Sequence, residues 1–400
     1  MVLIKLESIK KLHPVIISFS IKYMKLAIIN SNVIKIGKNT KKGTEIFVYF
    51  LIKNLVKDKK NIHMTIFASG NSKLPAKIES VNFHSSTEDK NIGEKNHKLF
   101  ELALLSKAFS MQKKFDIYHV NMMCGEYVLP FAAFVKKPIV ITLHGPLNTP
   151  FQRKYFSIFN RLSNVHFVSI SNAQRKPCPN LNYIKTIYHG VDTKHSFTFN
   201  PIGGKEIMWS GRAIPEKGLE HILTVVKKIK KKAKLFPIIK EEYFDWLQRE
   251  IIRKRNIINE VVRIAISFDV SRKELNQNYQ TSKVFLNPVE VEEGFGFTMV
   301  ESMACGTPVV AYARGSIPEI VKDGETGFIV NSSEKDIRGN WIIKKTGIEG
   351  LCEAVERIYA MPEDKYRAMR LACRTHVEKN FTVERMVDQY EEVYKKILNR

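Results

Sequence analysis

Short apolar runs recur along the chain, separated by longer stretches whose apolar positions fall three and four residues apart. The first series predicts strands at Leu26–Asn30, Met64–Ala68, Ile117–Val120, Ile139–Leu143 and Val165–Ile170, with a helix at about Thr44–Lys57 between the first two. Strand followed by helix followed by strand means a parallel sheet covered on both faces. A second series begins at Ile207–Ser210 and continues through Val262–Ile266, Val284–Leu286, Val309–Tyr312 and Phe328–Val330, again with helices between. No apolar period runs through the polar, turn-rich Thr193–Gly204, so the join lies near Asp192–Gly204. The tail from Thr382 to Leu398 reads as one amphipathic helix. The expectation is an α/β protein of two doubly wound domains, residues 24–195 and 196–380, with an extension at 1–23 and a terminal helix within 381–400.

Composition narrows the class. A chain of 400 residues, 44% hydrophobic and 26% charged, is neither disordered nor collagen-like nor a disulfide scaffold. Cys124, Cys178, Cys305, Cys352 and Cys373 form no C-x-x-C pair and read as free thiols in a reducing cytoplasm. Val15–Ile21 is shorter than the ~18 residues that span a bilayer, so neither a signal peptide nor a membrane helix is expected. Met24 opens a cleaner strand start than Met1, which leaves residues 1–23 as a start-site artefact or a dispensable arm.

The formal net charge is +24 and unevenly placed, with 30 basic and 11 acidic residues in 1–200 against 34 and 29 in 201–400. A Lys, Ile and Asn bias on solvated surface accounts for this. The functional reading is peripheral contact of a cytoplasmic protein with the anionic inner membrane surface. No recognition-helix, zinc-finger or RNA-binding signature points to nucleic acid.

Ligands of open parallel sheets lie at the carboxyl ends of strands, where loops lead into helix N-termini. The loop after the first strand, Ser31–Glu45, has Gly37 and Gly43 but no G-x-G-x-x-G, and no P-loop string occurs in the chain. The most informative segment is Asn287–Val310, N-P-V-E-V-E-E-G-F-G-F-T-M-V-E-S-M-A-C-G-T-P-V-V. Gly294 and Gly296 let backbone approach a ligand, and a helix from about Phe297 aims its free N–H groups at that loop, an arrangement suited to a phosphate or diphosphate. Glu301, one turn in, can accept paired hydrogen bonds from a diol such as a ribose. Glu293 stands in the loop where a sugar would hang, with Glu292 beside it as the competing choice. Gly306 caps the helix and Pro308 prevents its continuation. In Ser210-Gly211-Arg212-Ala213-Ile214-Pro215-Glu216-Lys217-Gly218, an Arg and a Lys five apart across a turn can converge on one diphosphate.

Glu293-Gly294-Phe295-Gly296 through Glu301, with Ala304-Cys305-Gly306-Thr307-Pro308-Val309-Val310, resembles the nucleotide-sugar site of the family 4 retaining glycosyltransferases. The resemblance extends to Gly211-Arg212, Lys217-Gly218, Thr142-Leu143-His144-Gly145 and Tyr188-His189-Gly190-Val191-Asp192, and covers roughly residues 24–395. Val168-Ser169-Ile170-Ser171-Asn172-Ala173-Gln174-Arg175 and the Y-H-G-V-D string look most like a bacterial subgroup related to UDP-glucose:tetrahydrobiopterin glucosyltransferases. The resemblance implies a GT-B fold of two Rossmann-like domains facing a central cleft, with the donor held by the second domain, the acceptor by the first, and the terminal helix crossing back after Phe381. It also implies roles. Arg212 and Lys217 neutralise the diphosphate, Glu301 holds the ribose, Glu293 contacts the transferred sugar and His144 lies near it. Gly43, Gly211, Gly294, Phe295, Gly296, Phe297 and Thr298 border the donor. His119 and His189 read as structural.

Two departures from the family pattern stand out. Lys42 precedes Gly43 where relatives commonly carry a second glycine. Lys227–Glu242 lacks the apolar strand ending in glycine, Leu235–Ile239 being its degraded form. By resemblance the donor is UDP-glucose and no cofactor is needed; the acceptor, whether pterin, lipid or saccharide, is not specified. The aspartates never occur two apart, so no Asp-x-Asp pair can bridge a metal to a diphosphate, and metal-independent transfer is expected. The alternatives are a GT-B protein that binds a nucleotide sugar without transfer, an epimerase on that scaffold, or a basic nucleic-acid or membrane-binding protein with a vestigial site; a glycosidase pair in Glu293 and Glu301 is disfavoured by their attachment to a phosphate-cradling loop.

Overall fold

The computed structural model describes residues 23–40, 42–58, 61–123 and 125–399. The expected arm at 1–23 lies outside the described residues except for Tyr23, and Cys124 lies outside them as well. The first sheet contains β1 (Met24–Asn30), β2 (Ile62–Phe67), β3 (Lys77–Glu79), β4 (Ile117–Asn121), β5 (Ile139–Leu143), β6 (Val165–Ser169) and β7 (Tyr183–Thr186) in the order β3-β2-β1-β4-β5-β6-β7. The second contains β8 (Glu206–Arg212), β9 (Ala233–Ile238), β10 (Ile264–Ile266), β11 (Ser282–Asn287), β12 (Val309–Tyr312) and β13 (Gly327–Val330) in the order β10-β9-β8-β11-β12-β13. All pairings are parallel. The helices that bear on the site are α1 (Gly43–Asp58), α2 (Gly93–Ser110), α3 (Pro150–Ile158), α4 (Leu219–Ile229), α5 (Arg272–Gln280), α6 (Phe297–Ala304), α7 (Gly347–Ala360), α8 (Glu363–Asn380) and α9 (Val383–Ile397).

Alternation along each strand divides the core. Leu26 and Ile28 of β1 pack with Phe47 and Leu51 of α1 and with Met386 and Tyr390 of α9, while Ala27 and Ile29 pack with Leu104 and Leu105 of α2. In the second sheet, Ile207 and Trp209 meet Ile222 and Val226 of α4 and Leu351 and Val355 of α7. Met208 and Phe285 face Met299 and Met303 of α6 and Cys373 and Val377 of α8. Both sheets are therefore covered on both faces, and their carboxyl ends carry the loops named above.

The structure corrects the reading of the stretch after α4. Residues 233–238 form a full strand in register with β8, from Ile207 opposite Ala233 to Arg212 opposite Ile238. Pro237 is tolerated because pairing with β10 ends at Leu235, so its missing N–H is not required by that neighbour. The strand expected at Val262–Ile266 is confined to Ile264–Ile266. Two short strands, β3 and β7, were not anticipated; each stands at an outer edge of its sheet.

Helix α9 crosses to the first sheet. Val383, Met386, Val387, Tyr390, Val393 and Tyr394 recur at helical spacing, and all join the core shared by β1 and α1. The crossing strand is tied by a Val191–Thr382 bridge and by the bond from Val191 N to Phe381 O at 2.8 Å. Gly190 makes this approach feasible, since a Cβ there would stand 2.5 Å from both Thr382 O and Val383 Cα. Gly190→Ala is therefore expected to lower the unfolding free energy by ~1–3 kcal/mol, as overpacking does. Urea denaturation measures it, and an unchanged midpoint would show that the crossing chain has room to move.

Candidate functional site

Glu293 is the centre of the second-domain loop. Its Oε2 receives the Lys217 ammonium at 2.5 Å, both side chains being mostly buried. Burial pushes the Glu293 carboxyl up, but Lys217 and then Arg212 more than offset it and hold the carboxyl below its ordinary range. The backbone carbonyl of Glu293 accepts from Ser316 N at 2.9 Å, and a Cβ on Gly315 would stand 2.3 Å from that oxygen. Glu292 points elsewhere: it accepts from Arg338 at 2.6 Å and from Gly315 N at 2.7 Å. The two glutamates therefore have different partners, Lys217 for Glu293 and Arg338 for Glu292.

The Arg212–Lys217 turn docks against the same loop. Gly218 adopts φ +71°, where a Cβ would meet Pro288 O at 2.1 Å, and Glu290 N donates to Glu216 O at 3.0 Å. Gly211 lies against Trp209 at the end of β8. Gly296, at φ +84°, is the N-cap of α6, so Phe297 and Thr298 occupy the first turn, where backbone N–H groups have no helical acceptor. Gly294 faces the first domain, with Ile170 Cδ1 3.5 Å from where its Cβ would be. Gly43 approaches from the other side, 3.4 Å from the Phe297 ring by the same construction. The Phe295 side chain is core, ringed by Tyr188, His189, Phe297 and Phe381, and presents only its backbone.

Glu301 is buried in α6 with both oxygens engaged, Oε1 by Arg272 at 3.2 Å and Oε2 by the Tyr279 hydroxyl at 3.5 Å. Burial raises its carboxyl despite these donors. Arg272 and Tyr279 both lie on α5, some twenty to thirty positions from Glu301. Nothing in the local sequence marked them. The other side of α5 borders a cavity of about 350 Å³ lined by Phe236, Ser267, Phe268, Asp269 and Glu274 among others.

His144 follows β5 and lies across the cleft. Its Nε2 bonds Asn121 Oδ1 at 3.1 Å, its ring stacks 5.4 Å from His189, and burial pushes its pKa down to about 3. It is neutral at pH 7. With Nε2 donating, Nδ1 is an acceptor, and it has no partner. His119 is structural, bonded to the Tyr394 hydroxyl at 2.6 Å and to Thr142 Oγ1 at 2.8 Å. His189, also expected to be structural, is buried with its ring stacked on Phe297 at 4.9 Å, and its Nδ1 is unpartnered. Asn30 and Asn121, register partners at the ends of β1 and β4, likewise keep buried amide atoms without partners.

Glu319 spans the two domains. Its carboxylate accepts from Asn172 N at 2.8 Å, Ala173 N at 2.6 Å and the Tyr188 hydroxyl at 2.7 Å. Among the described residues no group of three His, Cys, Asp or Glu side chains is placed to hold a metal, and no helix is long and apolar enough to cross a membrane.

Two parallel-sheet domains, a cationic turn and a glycine loop at a helix N-terminus make an α/β protein whose candidate site lies in a cleft between domains. Comparison with known proteins places it more narrowly. Residues 41–195 match the family described as Glycosyltransferase Family 4, and residues 192–365 match Glycosyl transferases group 1. Between them these matches run through both sheets, and the chain belongs to the GT-B glycosyltransferases of the family 4 kind. Trehalose synthase of Pyrococcus horikoshii is 26% identical over 189 residues, 45% of this chain and 41% of the relative, so the chain spans well under half of that protein. A sucrose-phosphate synthase from Thermosynechococcus elongatus has the same fold, with TM-score 0.73 and 17% identity over 94% of this chain and 99% of that one. So does Anabaena Alr3699/HepE in complex with UDP-glucose, with TM-score 0.69 and 16% identity over 94% and 100% of the two chains.

Arg272→Ala strands the Glu301 carboxylate and is expected to cost roughly 3 kcal/mol at pH 7.5. The folded carboxyl would then rise further above its unfolded value. The folded state binds the extra proton as pH falls, so the deficit relative to wild type shrinks toward pH 5. Denaturant titrations of both proteins across that range test it, and a deficit independent of pH would mean that Arg272 acts through packing alone.

Proposed function

We propose that this protein transfers a hexose from a nucleotide sugar, UDP-glucose by preference, to an acceptor hydroxyl with retention at the anomeric carbon. The observation that carries the reading is the convergence of Lys217 and Arg212 on Glu293 at the N-terminus of α6. Two cations face one carboxylate, so a net positive charge and the first-turn N–H groups of α6 are available to a diphosphate. The bond from sugar C1 to the diphosphate oxygen breaks, C1 bonds to the acceptor oxygen, and the acceptor hydroxyl's proton passes to the departing diphosphate oxygen. Negative charge grows on the leaving diphosphate while the sugar becomes oxocarbenium-like. Fixed donors at the first site and the Glu293 carboxylate at the second stabilise that separation without reorganising.

Glu301 receives the ribose diol in place of, or beside, Arg272 and Tyr279. Neutral His144 acts as a hydrogen-bond acceptor for a sugar hydroxyl through Nδ1 and not as a proton donor. On the first-domain side, the unpartnered amides of Asn30 and Asn121 ask for a polar acceptor group. UDP-glucose is favoured by the likeness of residues 168–175 and 188–192 to glucosyltransferases that use it, and by the UDP-glucose named in the Anabaena complex. With two fixed cations at the diphosphate, transfer needs no metal.

The experiment is a donor panel of UDP-, GDP- and ADP-sugars in chelator, read as nucleoside diphosphate release and product mass. One donor is expected to turn over with and without chelator, and Arg212→Ala or Lys217→Ala to reduce the rate by roughly 10²–10³. Near-wild-type rates in both variants would refute the assigned site. Donor binding without any release or product would leave the protein a nucleotide-sugar binder.

A further inference from the structure

Acidic residues are missing from a long part of the first domain. Between Glu126 and Asp192 the chain has no Asp or Glu at all, while Lys136, Lys137, Arg153, Lys154, Arg161, Arg175, Lys176 and Lys185 lie within it. This stretch builds β5, α3, β6 and β7; in space it also meets two carboxylates from outside it, Glu126 bonded to Gln152 of α3 and Glu392 paired with Lys185.

That side also exposes apolar side chains. Helix α3 anchors to the core through Phe156, yet Phe151 is 68% and Ile158 67% exposed. Phe151, Lys154 and Ile158 are three, four and seven residues apart and therefore share one outward face. Phe134 is 81% exposed. The segments beyond α3 are stitched together: Gln112 bonds Phe134 O at 3.4 Å and Lys136 N at 2.9 Å, and Asn164 Nδ2 donates to Ala132 O at 3.0 Å and Val135 O at 2.7 Å. These bonds gather exposed Lys113, Lys114, Lys136 and Arg161 around Phe134, and among the described residues no acidic side chain pairs with any of the four. The loops involved precede β4, β5 and β6, so this pole is at the amino ends of the strands, away from the cleft at their carboxyl ends.

We propose that this face docks on a bilayer rich in anionic phospholipid, with Phe151, Ile158 and Phe134 entering the headgroup layer and the surrounding cations meeting lipid phosphates. Lys113, Lys114, Lys136 and Arg161, without acidic partners among the described residues, supply long-range attraction, and outward apolar side chains on a short amphipathic helix supply the insertion. A nucleic acid would satisfy the cations but would leave Ile158 in water. Docking by the amino pole and the α3 flank leaves the cleft open, so the surface is independent of the sugar-transfer reading.

The test is flotation of the full chain with phosphatidylglycerol–phosphatidylcholine vesicles and with phosphatidylcholine alone, at low and at raised salt. Binding to the anionic vesicles, weakened by salt and absent on the neutral ones, is expected. Lys136→Glu/Lys154→Glu/Arg161→Glu should weaken it by at least roughly a hundredfold, and Phe151→Ser/Ile158→Ser should weaken it at both salt concentrations. No flotation with anionic vesicles at low salt, equal flotation of wild type and both variants, or tighter binding to duplex DNA than to the vesicles would each overturn the proposal.

Discussion

The cleft depends on one buried ion pair. Lys217 comes from the turn after β8 and Glu293 from the loop after β11, and the two strands are neighbours in the sheet. Their side chains lock the two loops together. The backbone of Glu293 meanwhile holds Gly315 and Ser316, the loop after β12. Three consecutive carboxyl ends are thus fixed around one residue. A buried pair of this kind contributes little net stability because desolvation offsets the attraction. Its value is positional: the Lys217 ammonium is held in one place at the carboxyl end of the sheet, with Arg212 nearby.

The two domains are joined so that the site can form between them. Tyr390 and Tyr394 of α9 reach under the first sheet to bond Thr142 and His119, one residue of which is two positions before His144. The Glu319 carboxylate caps backbone N–H groups of the first domain from the second. The aromatic stack of His144, His189 and Phe297 then runs from the first domain to the helix that carries Glu301. Burial keeps both histidines neutral, so neither adds positive charge to this stack near neutrality.

Much of this was legible in the sequence, for physical reasons. Strands buried on both faces are continuously apolar, so β1, β4, β5, β11 and β12 could be read almost to the residue. The loop–helix–stop segment at 287–310 was legible because glycines at positive φ, a helix start and a proline each leave a local mark. The edge strands β3 and β7 were not legible, since half-exposed segments such as Lys-Ile-Glu have no distinctive pattern. Strand β9 was obscured by flanking lysines that snorkel to solvent while Leu235 and Phe236 are buried. Partners distant in the chain left no signal: Arg272 for Glu301, Arg338 for Glu292, and Glu319 for the 172–173 backbone are tertiary facts.

The central claim is that Arg212 and Lys217 are a diphosphate site. Its most direct test compares the affinity of a nucleoside with that of its diphosphate by calorimetry, for uridine, guanosine and adenosine in turn, on the wild type and on Arg212→Ala/Lys217→Ala. The account predicts that for the cognate base the diphosphate binds at least about a hundredfold more tightly than the nucleoside, as two charge-assisted contacts imply, and that the double variant loses most of this ratio while nucleoside affinity is kept. An undiminished ratio in the variant would contradict it.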